Sequence, residues 1–211
     1  MGLHHISEPL GAVIIGLDRS MADRTGASII QTIADAGGWT APEEGTERYR
    51  MLEAALASRG TPYRNGPVGR FDAWSLARSC ATYATERDCI EAVRPPSGWG
   101  PTEAEARKVL TQWGLTEVRL RHAAPGDALL FDMPQGGVHV AVLSAPGEEL
   151  SWAMAPGKSL PEPKIVHAIP ARAVCESWAG AYWTSKLIGA FSFDAPGAPI
   201  PAVRKPLAVA A

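Results

Sequence analysis

The period of the hydrophobic pattern changes once along this chain, and that change restricts the fold more than any other feature. Upstream, apolar residues recur at three- and four-residue spacing. Tyr49, Leu52, Ala55 and Leu56 share one face, and Ala106, Val109, Leu110 and Trp113 share another. That is the mark of helices with one apolar side. Downstream of Pro125-Gly126-Asp127 the spacing falls to two. Val138, Val140 and Val142 alternate with His139, Ala141 and Leu143, so the two sets leave a strand on opposite faces. Further strands are predicted at 128–131, 149–154, 165–169, 173–176 and 187–193. Helices first and strands afterwards predict an α+β fold, with helices packed on a mostly antiparallel sheet of about five to six strands.

One predicted helix has an unusual start. Asp72 is a good N-cap, because its carboxylate can accept from the free N–H groups of the first turn. After it, Ala73, Leu76, Ala77, Cys80 and Ala84 form a single stripe. Position 73 therefore lies in the first turn on the inward face. A helix N-terminus carries partial positive charge and free donors, which favours a thiolate and can hold an oxyanion. The position suits a nucleophile, yet it holds alanine. Ser75 points about 200° around the helix from it, and Cys80 lies about 10 Å further along the axis, where a thiol is expected to be core-packed with a raised pKa.

The composition narrows the function classes. The chain has 211 residues, 46% hydrophobic, with a formal net charge of −2. That supports a real core and argues against a nucleic-acid binder working by bulk electrostatics. Cys80, Cys89 and Cys175 make no CxxC, so reduced, buried thiols are expected rather than a disulfide framework. No apolar run approaches the roughly 20 residues of a membrane span. The run Gly11–Leu17 is short and no Lys or Arg precedes it, which makes a poor signal peptide. Synthesis in a reducing cytoplasm is the expectation.

Residues 1–48 read as an N-terminal extension that could dock on a partner, with a short strand at 11–17 and a short helix at 28–36. His4-His5 lacks further ligands at useful spacing, so no metal site is predicted. Residues 47–59 read as a helix, 60–66 as a turn-rich loop and 95–101 as another loop. Thr102 followed by Glu105 reads as a capping box. Arg119, Arg121 and His122 read as a solvated basic face, and 155–163 as a proline-rich loop. Trp99, Trp113, Trp152, Trp178 and Trp183 are expected in the core or a cleft wall, with a docking surface built from Trp178, Tyr182 and Trp183 as the alternative. Residues 194–211 carry four prolines and read as an extended tail.

Five pieces stand in a telling order: Gly60-Thr61-Pro62-Tyr63-Arg64; Phe71-Asp72, a variable position, then Trp74-Ser75-Leu76; Pro125-Gly126-Asp127 before an apolar strand; Val138-His139-Val140-Ala141-Val142; and Val166-His167-Ala168. Together they resemble the NlpC/P60 family of cell-wall peptidases, in particular the branch found at phage and gene-transfer-agent tails. The resemblance covers residues 49–193. It implies a papain-like fold whose helix opens with Asp-Cys, the cysteine being the nucleophile. His139 would then be the base, His167 the group that orients it, and Tyr63, Asp72 and Trp74 part of the substrate cleft. Three departures stand out. The nucleophile position falls on Ala73, Trp74-Ser75 stand where the family more commonly has Ser-Gly, and the 28 positions from His139 to His167 exceed the family's usual dozen or so, with the loop 155–163 as the insertion.

The chemistry implied is cysteine-type hydrolysis of a peptidoglycan stem peptide, needing no cofactor. A thiolate attacks the carbonyl, imidazole moves the protons and backbone N–H groups hold the oxyanion. Alanine cannot attack. The chain as written is therefore expected to be inactive, either through a deliberate Cys→Ala change or as a naturally degenerate protein kept as a structural tail-tip adaptor. An acyltransferase on the same scaffold is a third reading. The implied partners are a peptidoglycan peptide and other tail proteins, and the implied destination is a virion or phage-like tail.

Overall fold

The computed structural model describes residues 30, 31, 34, 40–66, 69–93, 100–146, 163–170 and 172–194. The readings at His4-His5, 11–17, most of 28–36, 95–99, 149–154, most of 155–163 and 195–211 lie outside the described residues, as do Trp99 and Trp152.

Three helices supply one layer: α1 (Glu47–Ala57), α2 (Ala73–Thr85) and α3 (Glu103–Gln112). Each starts where a short polar side chain meets free donors. Thr46 accepts from Tyr49 N, Asp72 accepts from Trp74 N and Ser75 N, and Thr102 accepts from Glu105 N. Glu105 itself pairs with Lys108 at 3.5 Å. The buried face of α2 is mostly alanine (Ala73, Ala77, Ala81, Ala84) around Leu76 and Cys80. Small side chains let α1 approach closely, and the two share one core with Met51, Leu52, Ala55 and Leu56.

The second layer is a six-stranded sheet made of β3 (Thr116–Val118), β4 (Ala128–Asp132), β5 (Val138–Ala145), β6 (Lys164–Ala168), β7 (Val174–Trp178) and β8 (Leu187–Ser192). Its order is β3-β8-β4-β5-β6-β7, and each neighbouring pair is antiparallel. The α+β architecture with an antiparallel sheet is the one expected from the change of period. The loop predicted at 60–66 instead contains β1 (Arg64–Gly66), which pairs with β2 (Gly69–Phe71) in a small hairpin. These strands, like β3, are only three residues long, too short for a period of two to register.

The sheet has two apolar faces. Val138, Val140, Val142, Val166, Ala128 and Leu130 pack with the helices. Leu129, Phe131, Ala141, Leu143, Ile165 and Ala190 form a second cluster on the other side, joined by Trp183 from the short helix α4 (Ala181–Thr184). This second cluster explains why the strands read as nearly continuous apolar runs. Both faces of β4 and β5 are covered.

Pro125-Gly126-Asp127 ties the layers together. Asp127 N donates to Ala124 O at 3.0 Å, and Gly126 has φ +95°. Proline followed by glycine at positive φ is the pattern of a type II turn. The turn places Asp127 under α1, where its carboxylate accepts from Ala124 N at 2.8 Å and from Arg48 Nε at 3.0 Å. Arg48 is buried and also donates to Ser192 Oγ at 2.6 Å on β8.

Candidate functional site

Ala73 is only 6% exposed, the first residue of α2, and its methyl belongs to the helix-side core. Asp72 is buried beside it. Its Oδ1 accepts from Trp74 N at 3.1 Å, Ser75 N at 3.0 Å and Ser75 Oγ at 3.2 Å. Ser75 is thus held to the cap. Trp74 is buried edge-on against Trp113, with ring centroids 6.2 Å apart, and its indole N–H donates to Val138 O at 2.7 Å. Tyr63 is half-buried against the same core. Cys80 is fully buried, and burial pushes its thiol up to about 12, the behaviour of a packed thiol.

The two histidines lie on neighbouring strands and meet directly. His139 Nε2 is 3.1 Å from His167 Nδ1, with the rings at 90°. His167 is fully buried, and its Nε2 is 2.7 Å from Ser177 Oγ on β7. Among the described residues none bonds Nδ1 of His139. The chain therefore runs from His139 through His167 to Ser177. Burial first, then the neighbouring His167, hold the His139 pKa down at about 3, while the Asp72 carboxylate pulls it upward. Burial holds His167 at about 4. Both imidazoles are neutral at pH 7.

Two aromatic rings enclose the pair. Trp183 lies 5.3 Å from the His139 ring and 4.8 Å from the His167 ring, and Phe131 packs against Trp183 at 5.1 Å and His139 at 6.4 Å. By strand alternation, His139 and His167 rise from the face that carries Phe131, Ala141 and Ile165, whereas α2 covers the valine face. The helix start and the imidazole pair are linked at the beginning of β5. There Trp74 holds the carbonyl of Val138, the residue before His139, and the Asp72 charge acts on the imidazole.

Other expectations need correcting. Cys175 is not core. It is half-exposed on β7, an edge of the sheet, opposite His167 in the register. Its thiol is raised by burial, with Arg172 acting the other way. Trp178 is not core either. It is 56% exposed, with the Lys164 ammonium 4.5 Å from its ring centre. Tyr182 is exposed, but Trp183 beside it turns inward onto the histidines. Arg119, Arg121 and His122 are exposed as expected. Sequence reasoning missed Ser177, because the strand predicted at 173–176 stops one residue short of it. Alternation along β7 puts Ser177 on the same face as Cys175, diagonal to His167.

No family model matches the chain, and no curated protein matches it. Among solved structures it is similar to a lipoprotein-like protein of the NLP/P60 family from Staphylococcus aureus subsp. aureus Mu50, with TM-score 0.43 and 19% identity. That match covers 74% of this chain and 44% of the other, so this chain spans less than half the length of its neighbour. Among the described residues, no helix is long and apolar enough to cross a membrane.

Proposed function

We propose that this chain carries the cleft of a cysteine-type peptidase acting on peptidoglycan stem peptides, in a phage-like tail, and that it is inactive as written because Ala73 occupies the nucleophile position. The observation that carries the proposal is the hydrogen-bonded series His139–His167–Ser177. A base oriented by a second buried group, with one ring nitrogen left over, is the arrangement a thiol nucleophile requires. His139 is the base and His167 the orienting group. α2 covers the face of the sheet opposite the one that carries the imidazoles, so a sulfur on position 73 would have to meet Nδ1 of His139 at the start of β5, beside the Val138 carbonyl that Trp74 holds, and pass its proton there. The thiolate would then attack the peptide carbonyl, and backbone N–H groups at the start of α2 would hold the oxyanion. A thiolate beside His139 would also raise the imidazole pKa from its present low value, because an opposite charge favours the charged form. The tail setting rests on the order of the sequence motifs.

The test is Ala73→Cys, assayed for cleavage of purified muropeptides, with Ala73→Cys/His139→Ala as the control. Cleavage by the first variant and none by the second is the expected result. A lowered thiol pKa in the first variant, read from the pH dependence of alkylation and lost in the control, is expected with it. A folded Ala73→Cys protein with an ordinary thiol pKa and no cleavage would remove the hydrolase reading and leave the structural tail-tip adaptor.

A further inference from the structure

The proposed mechanism uses only two members of the polar series beneath Trp183. The third, Ser177, is unused by it, and its hydroxyl lies at 2.7 Å from the far nitrogen of a fully buried imidazole. Two proton arrangements satisfy the distances. In one, Ser177 donates to His167 Nε2, His167 Nδ1–H donates to His139 Nε2, and His139 is left with its proton on Nδ1. In the other, His139 Nε2–H donates to His167 Nδ1, and His167 Nε2–H donates to Ser177 Oγ. The first gives both histidines the intrinsically less favoured Nδ1–H tautomer. The second gives both the favoured Nε2–H form and leaves Nδ1 of His139 as an open acceptor. Ser177 is half-buried, so its own proton has access to solvent in the second arrangement.

We infer that Ser177 is a positioning residue that fixes the tautomers of both histidines, accepting from His167 Nε2–H so that His139 presents an unprotonated Nδ1. The tautomer at one ring nitrogen is set by the bond the other makes, and here that rule acts twice in series. The buried His167 cannot turn to solvent for a substitute partner. The consequence for catalysis rests on the proposed function, since it matters there that Nδ1 is the nitrogen left to take a proton. The tautomer assignment itself does not rest on it.

The protein as it stands, with Ala73, allows a direct test. Long-range 1H–15N spectra of the histidine side chains at pH 7 report the tautomer of each neutral ring. Both His139 and His167 are expected as Nε2–H. Ser177→Ala should remove the acceptor and shift the His167 tautomer ratio by about fivefold toward Nδ1–H, the size of one net hydrogen bond, with the His139 nitrogen shifts moving in the same spectrum. Ser177→Thr, which keeps the hydroxyl, should restore both patterns. Nδ1–H forms in the unaltered protein, or a folded Ser177→Ala whose imidazole nitrogens stay as they were, would overturn the assignment. A failure of Ala73→Cys to cleave muropeptides would leave these spectra unchanged, so the two ideas fail separately.

Discussion

Gly126→Ala should be among the most damaging single methyl additions in this protein, and a second glycine provides its control. Gly126 has φ +95°, and a Cβ placed there would lie 2.3 Å from Arg48 O and 2.6 Å from Arg48 Cγ. The positive φ alone costs about 1–2 kcal/mol for a residue with a side chain. The contact adds more, because neither side can yield. Arg48 is pinned by Asp127 at 3.0 Å and Ser192 at 2.6 Å, and the turn is pinned to β5 by Gly126 N to Leu143 O at 2.8 Å. Relieving the clash means separating the first turn of α1 from the turn, and that opens a buried ion pair. Loss of such a pair typically costs 3–5 kcal/mol. The two together, about 4–7 kcal/mol, would consume much of the stability of an ordinary domain. Gly60 has φ +86° but nothing within 4 Å of an added Cβ. Gly60→Ala should therefore lose only the conformational part, about 1–2 kcal/mol. Urea unfolding of both variants, followed by tryptophan fluorescence, measures the difference. Equal losses would show that the Arg48 contact is yielding, and the account of the turn as a rigid tie would be wrong.

Acidification should destabilise the fold through the histidines. Their pKa values of about 3 and 4 lie below the ordinary 6.5. Between those limits the unfolded chain binds protons that the folded chain does not, so stability is full above about 6.5 and falls as pH falls, by about 1.4 kcal/mol per pH unit for each proton. Asp127 opposes this. Burial raises it from 3.8 to about 6, against the pull of Arg48, so its contribution is full below 3.8 and lost as pH rises through 6. A net dependence of about one proton near pH 5 is expected from urea midpoints, and His167→Asn should flatten it. Asp72→Ala should cost about 1–2 kcal/mol by removing the acceptor of Trp74 N and Ser75 N, while Asp72→Asn should cost less, because Asn also caps. Thermal melts distinguish the two, and equal losses would show that the charge rather than the cap matters. Trp74→Phe leaves the buried Val138 carbonyl without its donor, a loss of about 1–3 kcal/mol by denaturant titration, to which the space left by the smaller ring adds. A neutral result would mean that water takes the indole's place.

The order of the three longer helices and of strands β4 to β8, the caps at Asp72 and Thr102 and the alternation of β5 were legible in the chain, because caps and periodicity are local; β1, β2, β3 and α4 were not, being three or four residues long. Asp72 and Thr102 act within one turn of themselves, as does Thr46, which the structure adds, and Val138 to Leu143 sort themselves onto two faces whatever lies beside them. The residues 139 and 167 could be singled out as a pair only through the order of motifs. The sequence has no means of stating that their rings touch at 3.1 Å. That contact is made by the pairing of β5 with β6, which is long-range. The same pairing, continued to β7, brings Ser177 to His167 and leaves Cys175 at an edge. Burial is likewise a property of the assembled sheet. Trp178 and Trp183 lie five residues apart with the same side chain, and only the tertiary structure turns one to solvent and the other onto the imidazoles. The reason is physical. Local sequence decides backbone conformation one turn or one pleat at a time, while the proton positions of a buried polar series depend on partners that folding gathers from three strands.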